Sequence, residues 1–516
     1  MPPTTRRLAL KPDSSFFRKI VIGVVGARAV ANDLGERGHR IVELERGATD
    51  TKLWKDVKRK RVRIPDLVCV DCGVRVESRA KTKPELSMSH SLTGAERAWD
   101  FGMVKQDYVA LPVCEAADES YWSGGDLSKN LAYWHERNWV RWKTKRHINY
   151  FRVGAFRSAS YQARAAKGVT EGSETSIIWK GTFSTRAGVV DGVEGANLTI
   201  RRDLDGHRHT WKIGRGMRGF VTRGEAVQDN QLIAGDVEPL KPSALLCPKT
   251  LPADHIPRLL ESRERTLRFT GVKLARLRAD DAFRTQVDEL TEDADEDIYI
   301  RLEGCSYLAS VCGRSAQKLF KEYIGSADPQ TQLEAVIALG ETGTSEAIQI
   351  LCVILDDASR PYFLRSAAAW ALAQSKEEGA ISRLVRAFAD VDHGIRDEAL
   401  TGLVTLGGPA VAILLERLKD EETSVSAGCA EALRQLQPLP REVVDSLTAE
   451  ARSGEPTDWA VWLLGHLPRE QVAPLIAELQ QRSPEIHYAI SLLWSFVESW
   501  IARRWELRPR ASNNNT

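Results

Sequence analysis

Residues 64–81 read Ile-Pro-Asp-Leu-Val-Cys-Val-Asp-Cys-Gly-Val-Arg-Val-Glu-Ser-Arg-Ala-Lys. The apolar runs on either side of Asp71-Cys72-Gly73 predict a hairpin with strands over Arg63–Val70 and Val74–Lys81. A two-residue loop at Asp71-Cys72 sets Asp66 opposite Glu77, and one at Cys72-Gly73 sets it opposite Arg79. Strand side chains alternate, so Glu77, Arg79 and Lys81 share a face. Two acids and a cation gathered in this way suit a divalent cation with oxygen ligands, Mg²⁺ or Mn²⁺. Such a cation would lower the pKa of bound water and neutralise charge on a phosphoryl oxygen.

Working outward, Phe16–Arg37 reads as an amphipathic helix with Ile20, Val24, Ala27, Ala31 and Leu34 on one stripe. Ser14 or Ser15 can cap its start and Gly38 its end. Ile41–Glu45 reads as a strand, Thr93–Met103 as a helix and Asp107–Val113 as a further strand. The order is helix, three strands, helix, strand, with Pro65-Asp66 on the second strand and an acid on the third. In that order residues 14–115 resemble the PD-(D/E)XK superfamily of restriction-type endonucleases. The resemblance implies a restriction-endonuclease-like α/β domain in which Asp66 and Glu77 ligate the metal. Arg79 stands where the family has its lysine. Arginine stays protonated, so it stabilises charge but cannot act as a general base, and Lys81, one same-face step on, is the alternative cation. Glu36, Glu43 and Glu45 are further acids that nothing in the sequence selects.

Two basic clusters point to nucleic acid. Lys58, Arg59, Lys60, Arg61 and Arg63 lead directly into the hairpin, as backbone-phosphate contact requires. Trp139–Arg146 interleaves aromatics with Lys143, Lys145 and Arg146, a pattern that suits base stacking and equally suits a helix packed on a core. Cys69-Val-Asp-Cys72-Gly is half of a zinc-knuckle pattern. Zinc would need two more ligands, for which Cys114 and Cys247-Pro248 are candidates and His90 a remote one. The plain reading puts Cys69 in the core and Cys72 in the turn.

The C-terminal part repeats. Leu308, Leu339, Leu372, Leu403, Leu433 and Leu464 recur at intervals of 31, 33, 31, 30 and 31 residues. Each closes an apolar first helix, followed by a short break and a second helix such as Ala347–Leu355 or Ile381–Phe388. Pairs at this period bury their faces only by stacking into a solenoid. Over 295–505 the pattern resembles short HEAT-type repeats of the kind also found in phycobilisome-lyase-like proteins, and Trp459, Trp462, Trp494, Trp500 and Trp505 are expected to cap it. Between the two ends, alternation over 176–183, 196–201, 210–213 and 219–222 predicts a small β-barrel or sandwich, and 224–235 resembles the turn-and-strand phrase of barrel-sandwich domains without an attachment lysine.

The expected layout is multidomain α+β: a nuclease-like domain (14–115), a Trp/Arg-rich connection (116–168), a β-rich domain (169–250), a helical, acidic linker (251–294), HEAT-type repeats (295–507) and a disordered tail (508–516). The 516 residues carry a net charge of only +2, but residues 1–100 hold 21 Lys/Arg against 13 Asp/Glu, which fits a polyanionic partner for the N-terminal domain. Eight scattered cysteines argue for a reducing compartment, and no apolar stretch is long enough to span a bilayer. Ile20–Ala27 resembles a leader core but continues as an amphipathic helix. The reading is therefore a cytoplasmic, metal-dependent nuclease of restriction or phage-defence type acting on DNA, with a HEAT module for a protein partner. The alternatives are a non-enzymatic HEAT scaffold with an inactive nuclease-like domain that binds nucleic acid and, more weakly, a phycobilin-lyase-like protein.

Overall fold

The computed structural model describes residues 14–44, 64–91, 94, 98–116, 142–165, 175–436, 439–467, 469–491 and 493. The chain divides into two compact units, 1–314 and 315–516.

The first unit opens with α1 (Ser14–Glu36), which buries Val24, Ala27, Val30 and Leu34 at helical spacing. It stops at Gly38, whose φ of 87° only glycine adopts readily, and the turn feeds β1 (Ile41–Glu43). The hairpin follows as β2 (Leu67–Cys69) and β3 (Arg75–Ser78). Next come β4 (Leu86–His90), β5 (Tyr108–Leu111), β6 (Cys114–Ala116), β7 (Trp142–Thr144) and β8 (Asn149–Arg152). The main sheet has the order β1-β2-β3-β5-β8, with β3 and β5 parallel and the other neighbours antiparallel. Val30 and Leu34 of α1 pack over Leu67, Val76, Ala110 and Tyr150 on one face of it. The helix expected over 93–103 does not form in its described part: residues 98–103 are turns, pinned by Phe101 N–H to Ala98 O and Met103 N–H to Asp100 O.

The β-rich region starts after α2 (Val153–Ser158) with β9 (Gln162–Ala165) and β10 (Thr175–Trp179), which join β4 in the order β4-β10-β9. It continues through β11 (Gly181–Phe183), β12 (Gly188–Glu194), β13 (Asn197–Arg202), β14 (Arg208–Lys212), β15 (Arg218–Gly219), β16 (Ala226–Val227) and β17 (Leu232–Gly235). These form two open sheets, β11-β17-β15 and β14-β13-β12-β16, and not a closed barrel. Val190, Leu198, Ile200, Val227 and Ile233 fill the space between them.

Residues 251–294, read as a helical, acidic linker, carry α3 (His255–Leu260), α4 (Arg265–Leu277) and α5 (Arg284–Glu292), followed by α6 (Ile298–Ser310). Leu44 and Val68 of the sheet share one core with Ile256, Phe269, Val272, Val287 and Tyr307 of these helices.

The described residues of the second unit carry helices and no strand: α7 (Gln317–Ile324), α8 (Pro329–Gly340), α9 (Ser345–Asp356), α10 (Tyr362–Leu372), α11 (Glu378–Arg386), α12 (His393–Leu406), α13 (Gly408–Glu416), α14 (Thr423–Gln435), α15 (Arg441–Ser453), α16 (Asp458–Leu464) and α17 (Arg469–Arg482). Leu339, Leu372, Leu403, Leu433 and Leu464 are each at most 2% exposed, so the leucine period read from the sequence is the ladder along which first helices stack. Polar residues repeat with it. Asp328 and Asp392 cap α8 and α12 through their carboxylates. Arg365 reaches back to the carbonyl of Leu355 at 2.9 Å and pairs with Asp390, tying one repeat to the next. Trp459 and Trp462 stack edge to face at 5.9 Å in α16, and Trp494, Trp500 and Trp505 lie outside the described residues.

Candidate functional site

The β2–β3 pairing joins Leu67 to Val76 and Val68 to Arg75, which continues to Asp66 opposite Glu77. Of the two registers open to the sequence, the one that sets Asp66 opposite Glu77 is adopted, but through a four-residue turn over 70–73 in place of a two-residue loop, with Cys69 N–H donating to Val74 O at 2.9 Å. What the hairpin does with its acids differs from a free metal site. Asp66 Oδ2 accepts the Ser78 N–H at 2.8 Å. Arg79 Nη2 sits 3.0 Å from Glu77 Oε1 and also donates to the Trp99 carbonyl at 3.2 Å. The cation in the lysine position therefore neutralises the acid it was expected to assist.

Lys81 does not converge on the acids either. Its ammonium donates to the carbonyl and, at 3.0 Å, to the hydroxyl of Ser87, with Glu85 3.9 Å away. Burial pushes it down to about 8 despite Glu85. Its backbone holds that strand end in line with the parallel neighbour: Lys81 N–H donates to Pro112 O at 2.9 Å, and Cys114 N–H to Lys81 O at 2.7 Å. Among the described residues, no cluster of three potential metal ligands includes Asp66 or Glu77.

The basic residues divide. Lys58, Arg59, Lys60, Arg61 and Arg63 lie outside the described residues, as does Trp139. Lys143 and Arg146 are exposed. Lys145 is held by Asp229 at 2.9 Å and Glu115 at 3.2 Å. Trp142 is 6% exposed and packs with Ile22 and Cys114, so it is a core residue of a strand and not a base-stacking platform.

The turn end of the same hairpin carries a different constellation. Cys69 ends β2 and Cys72 lies in the turn, closed by Gly73 N–H to Cys69 O at 2.8 Å with Gly73 at φ 74°. His39 follows Gly38 at the end of α1. Cys247 is brought in by its own N–H, which donates to Arg37 O at 3.2 Å. One ligand atom from each of His39, Cys69, Cys72 and Cys247 lies within 4.8 Å of all the others. Cys69 Sγ is 3.9 Å from Cys247 Sγ, and Cys72 Sγ is 3.5 Å from His39 Nδ1. Hydrogen bonding from Cys72, then from His39 and the turn amides, holds the Cys69 thiol well below its usual range, against its burial. The same pairing, together with burial, pushes Cys72 up.

Of the partners weighed from sequence for the Cys69–Cys72 half-site, the structure selects Cys247. Cys114 sits in a separate core with its thiol toward the Ile22 carbonyl at 3.8 Å, and His90 accepts the Trp99 N–H at 3.3 Å. His39 was not foreseen; its only sequence signal is its place after a helix-ending glycine, where the chain folds back.

The HEAT repeats description matches residues 287–364 and 361–434. The C-terminal region is built of HEAT repeats. Among solved structures, the chain is similar to the Escherichia coli protein YibA, with 16% identity over 48% of this chain and 92% of that one and a TM-score of 0.24. It is also similar to human deoxyhypusine hydroxylase, with 18% identity over 43% and 82% and a TM-score of 0.18. The CpcE–CpcF phycocyanin lyase of Nostoc sp. gives 17% identity over 46% and 91%, with a TM-score of 0.18. No curated protein matches the sequence. The family model does not extend to 14–115, and the element order expected of the nuclease superfamily is not reproduced there: residues 98–103, the described part of the helix expected before β5, are turns.

Proposed function

We propose that the chain is an interaction protein: the HEAT module grips a protein partner, and the N-terminal unit is a nuclease-like α/β fold that does not cut. The observation carrying this reading is the buried leucine ladder, which leaves Val353, Tyr362 and Val391 exposed at 65%, 51% and 93%. Tyr362 lies beside Gly394, so it and Val391 belong to neighbouring turns on one edge of the stack. Exposed apolar side chains on such a stack suit a partner that lays an apolar segment across them. The Arg79–Glu77 pair supports the non-cutting half of the proposal. The basic run at 58–63 is what would bring nucleic acid to this unit as a second, non-covalent partner.

Val353→Glu and Val391→Glu are surface changes expected to alter stability by no more than about 0.5 kcal/mol. Each should weaken capture of the partner by about tenfold, the loss of roughly 1.4 kcal/mol of contact, measured by affinity purification from the source cells followed by titration of the isolated partner. Unchanged affinity in both variants would remove this face as the docking surface.

A second reading, a nuclease using Mg²⁺ or Mn²⁺ at Asp66 and Glu77, is favoured by the register that sets those two acids opposite each other. It requires Arg79 to release Glu77 when metal binds.

A further inference from the structure

We propose that His39, Cys69, Cys72 and Cys247 form a closed, structural zinc(II) site that staples three distant segments of the first unit. Zinc bonds to sulfur at about 2.3 Å and to imidazole nitrogen at about 2.0–2.1 Å in a tetrahedron, which sets sulfur–sulfur edges of about 3.8 Å and sulfur–nitrogen edges of about 3.5 Å. The observed edges are 3.9 Å for Cys69–Cys247 and 3.5 Å for Cys72–His39. A Cys69–Cys247 disulfide needs about 2.05 Å between sulfurs and is not formed. The donors are the soft, nitrogen-and-sulfur set that zinc prefers over oxygen-seeking cations.

The surroundings fit the same assignment independently of the distances. Lys249 N–H donates to the Cys247 sulfur at 3.4 Å, a contact that favours the thiolate form a metal ligand needs. His39 is 7% exposed, and its Nε2–H donates to the Leu245 carbonyl at 3.0 Å, which fixes the tautomer and leaves the Nδ1 lone pair on the sulfurs. Three thiolates and a neutral imidazole around zinc(II) carry one net negative charge, and the cations nearby are Arg40 and Lys249, both paired with Asp71. With four protein ligands the ion has no open position, so its role is to hold the fold and not to activate water.

The consequence is mechanical. His39 belongs to the end of α1, Cys69 and Cys72 to the hairpin turn, and Cys247 to the segment that leaves the β-rich region for α3. A cross-link of this kind closes loops of about 30 and about 175 residues, where chain entropy favours it most.

The test is metal content of the full chain purified without chelator, by mass spectrometry of the elements. One zinc per chain is expected. Cys72→Ser and Cys247→Ser should each lower occupancy more than tenfold, while Cys352→Ser, outside the cluster, retains it. Because a ligand variant can fail to fold, the unmodified chain is also stripped by a chelator and titrated with cobalt(II). Thiolate charge-transfer and tetrahedral d–d absorption saturating at one equivalent, and displaced by zinc, is the expected result. Hydrogen exchange at 69–74 and 245–249 should rise on stripping and recover with zinc. Zinc below a tenth of an equivalent together with no cobalt spectrum, iron as the resident metal, or a Cys69–Cys247 disulfide would each overturn the assignment.

Discussion

Replacing Asp107 with alanine should destabilise the first unit by about 3–5 kcal/mol, the cost of leaving a buried arginine without its counter-ion. Arg75 and Asp107 side chains are 3% and 5% exposed and meet at 3.0 and 2.5 Å. The guanidinium also donates to Thr270 Oγ1 and Gly102 O, both at 3.3 Å, while Asp107 accepts the Val104 N–H at 2.7 Å. One ion pair therefore connects β3, the 98–107 turns and α4. With Asp107 removed, the charge on Arg75 stays in the core and the Val104 N–H loses its partner. Urea unfolding followed by intrinsic fluorescence of Trp99 and Trp179, both in the first unit, measures the loss. The double variant Arg75→Met/Asp107→Leu should regain most of it, because no charge then remains to be desolvated. A double variant as unstable as the single one would show that the pair contributes by shape and not by charge compensation.

Leu403→Ala should cost about 2–5 kcal/mol in the second unit. Leu403 is fully buried in α12, whose neighbours α10 and α14 hold the equivalent Leu372 and Leu433. Removing three carbons from the middle of a ladder leaves a void that a close-packed helix pair cannot collapse without shifting both neighbours. In a solenoid each repeat depends on those beside it, so protection from hydrogen exchange should fall across α10–α14 and not at α12 alone. A loss confined to α12 would contradict stacking along this ladder.

The repeat was legible because it needs only a local period: first helices bury one leucine every 30–33 residues, and Leu372 or Leu403 is visible without knowing its neighbours. The hairpin was legible to the same degree, since alternation and a short turn leave two registers and the structure uses one of them. Neither the fate of the acids nor the cluster could be read in this way. Arg79 turning onto Glu77 depends on Trp99 accepting from it, and Lys81 turning onto Ser87 depends on the course of the chain after Ala80. His39 and Cys247 are 208 residues apart in sequence and meet because the 245–247 segment is held at the end of α1, by Cys247 N–H donating to Arg37 O and by His39 bonding the Leu245 carbonyl. The sequence left Trp142 open between base stacking and packing on a core; it packs on a core, from a strand in place of the helix, because the pairing of β7 with β6 turns the indole inward.

The claim that the hairpin does not cut is tested most directly by incubating the purified full chain with supercoiled DNA or single-stranded RNA in Mg²⁺ or Mn²⁺, beside the Asp66→Ala and Glu77→Ala variants. The account predicts no cleavage above that of the variants. Metal-dependent cleavage by the unmodified chain that is lost in Glu77→Ala would contradict it and restore the nuclease reading.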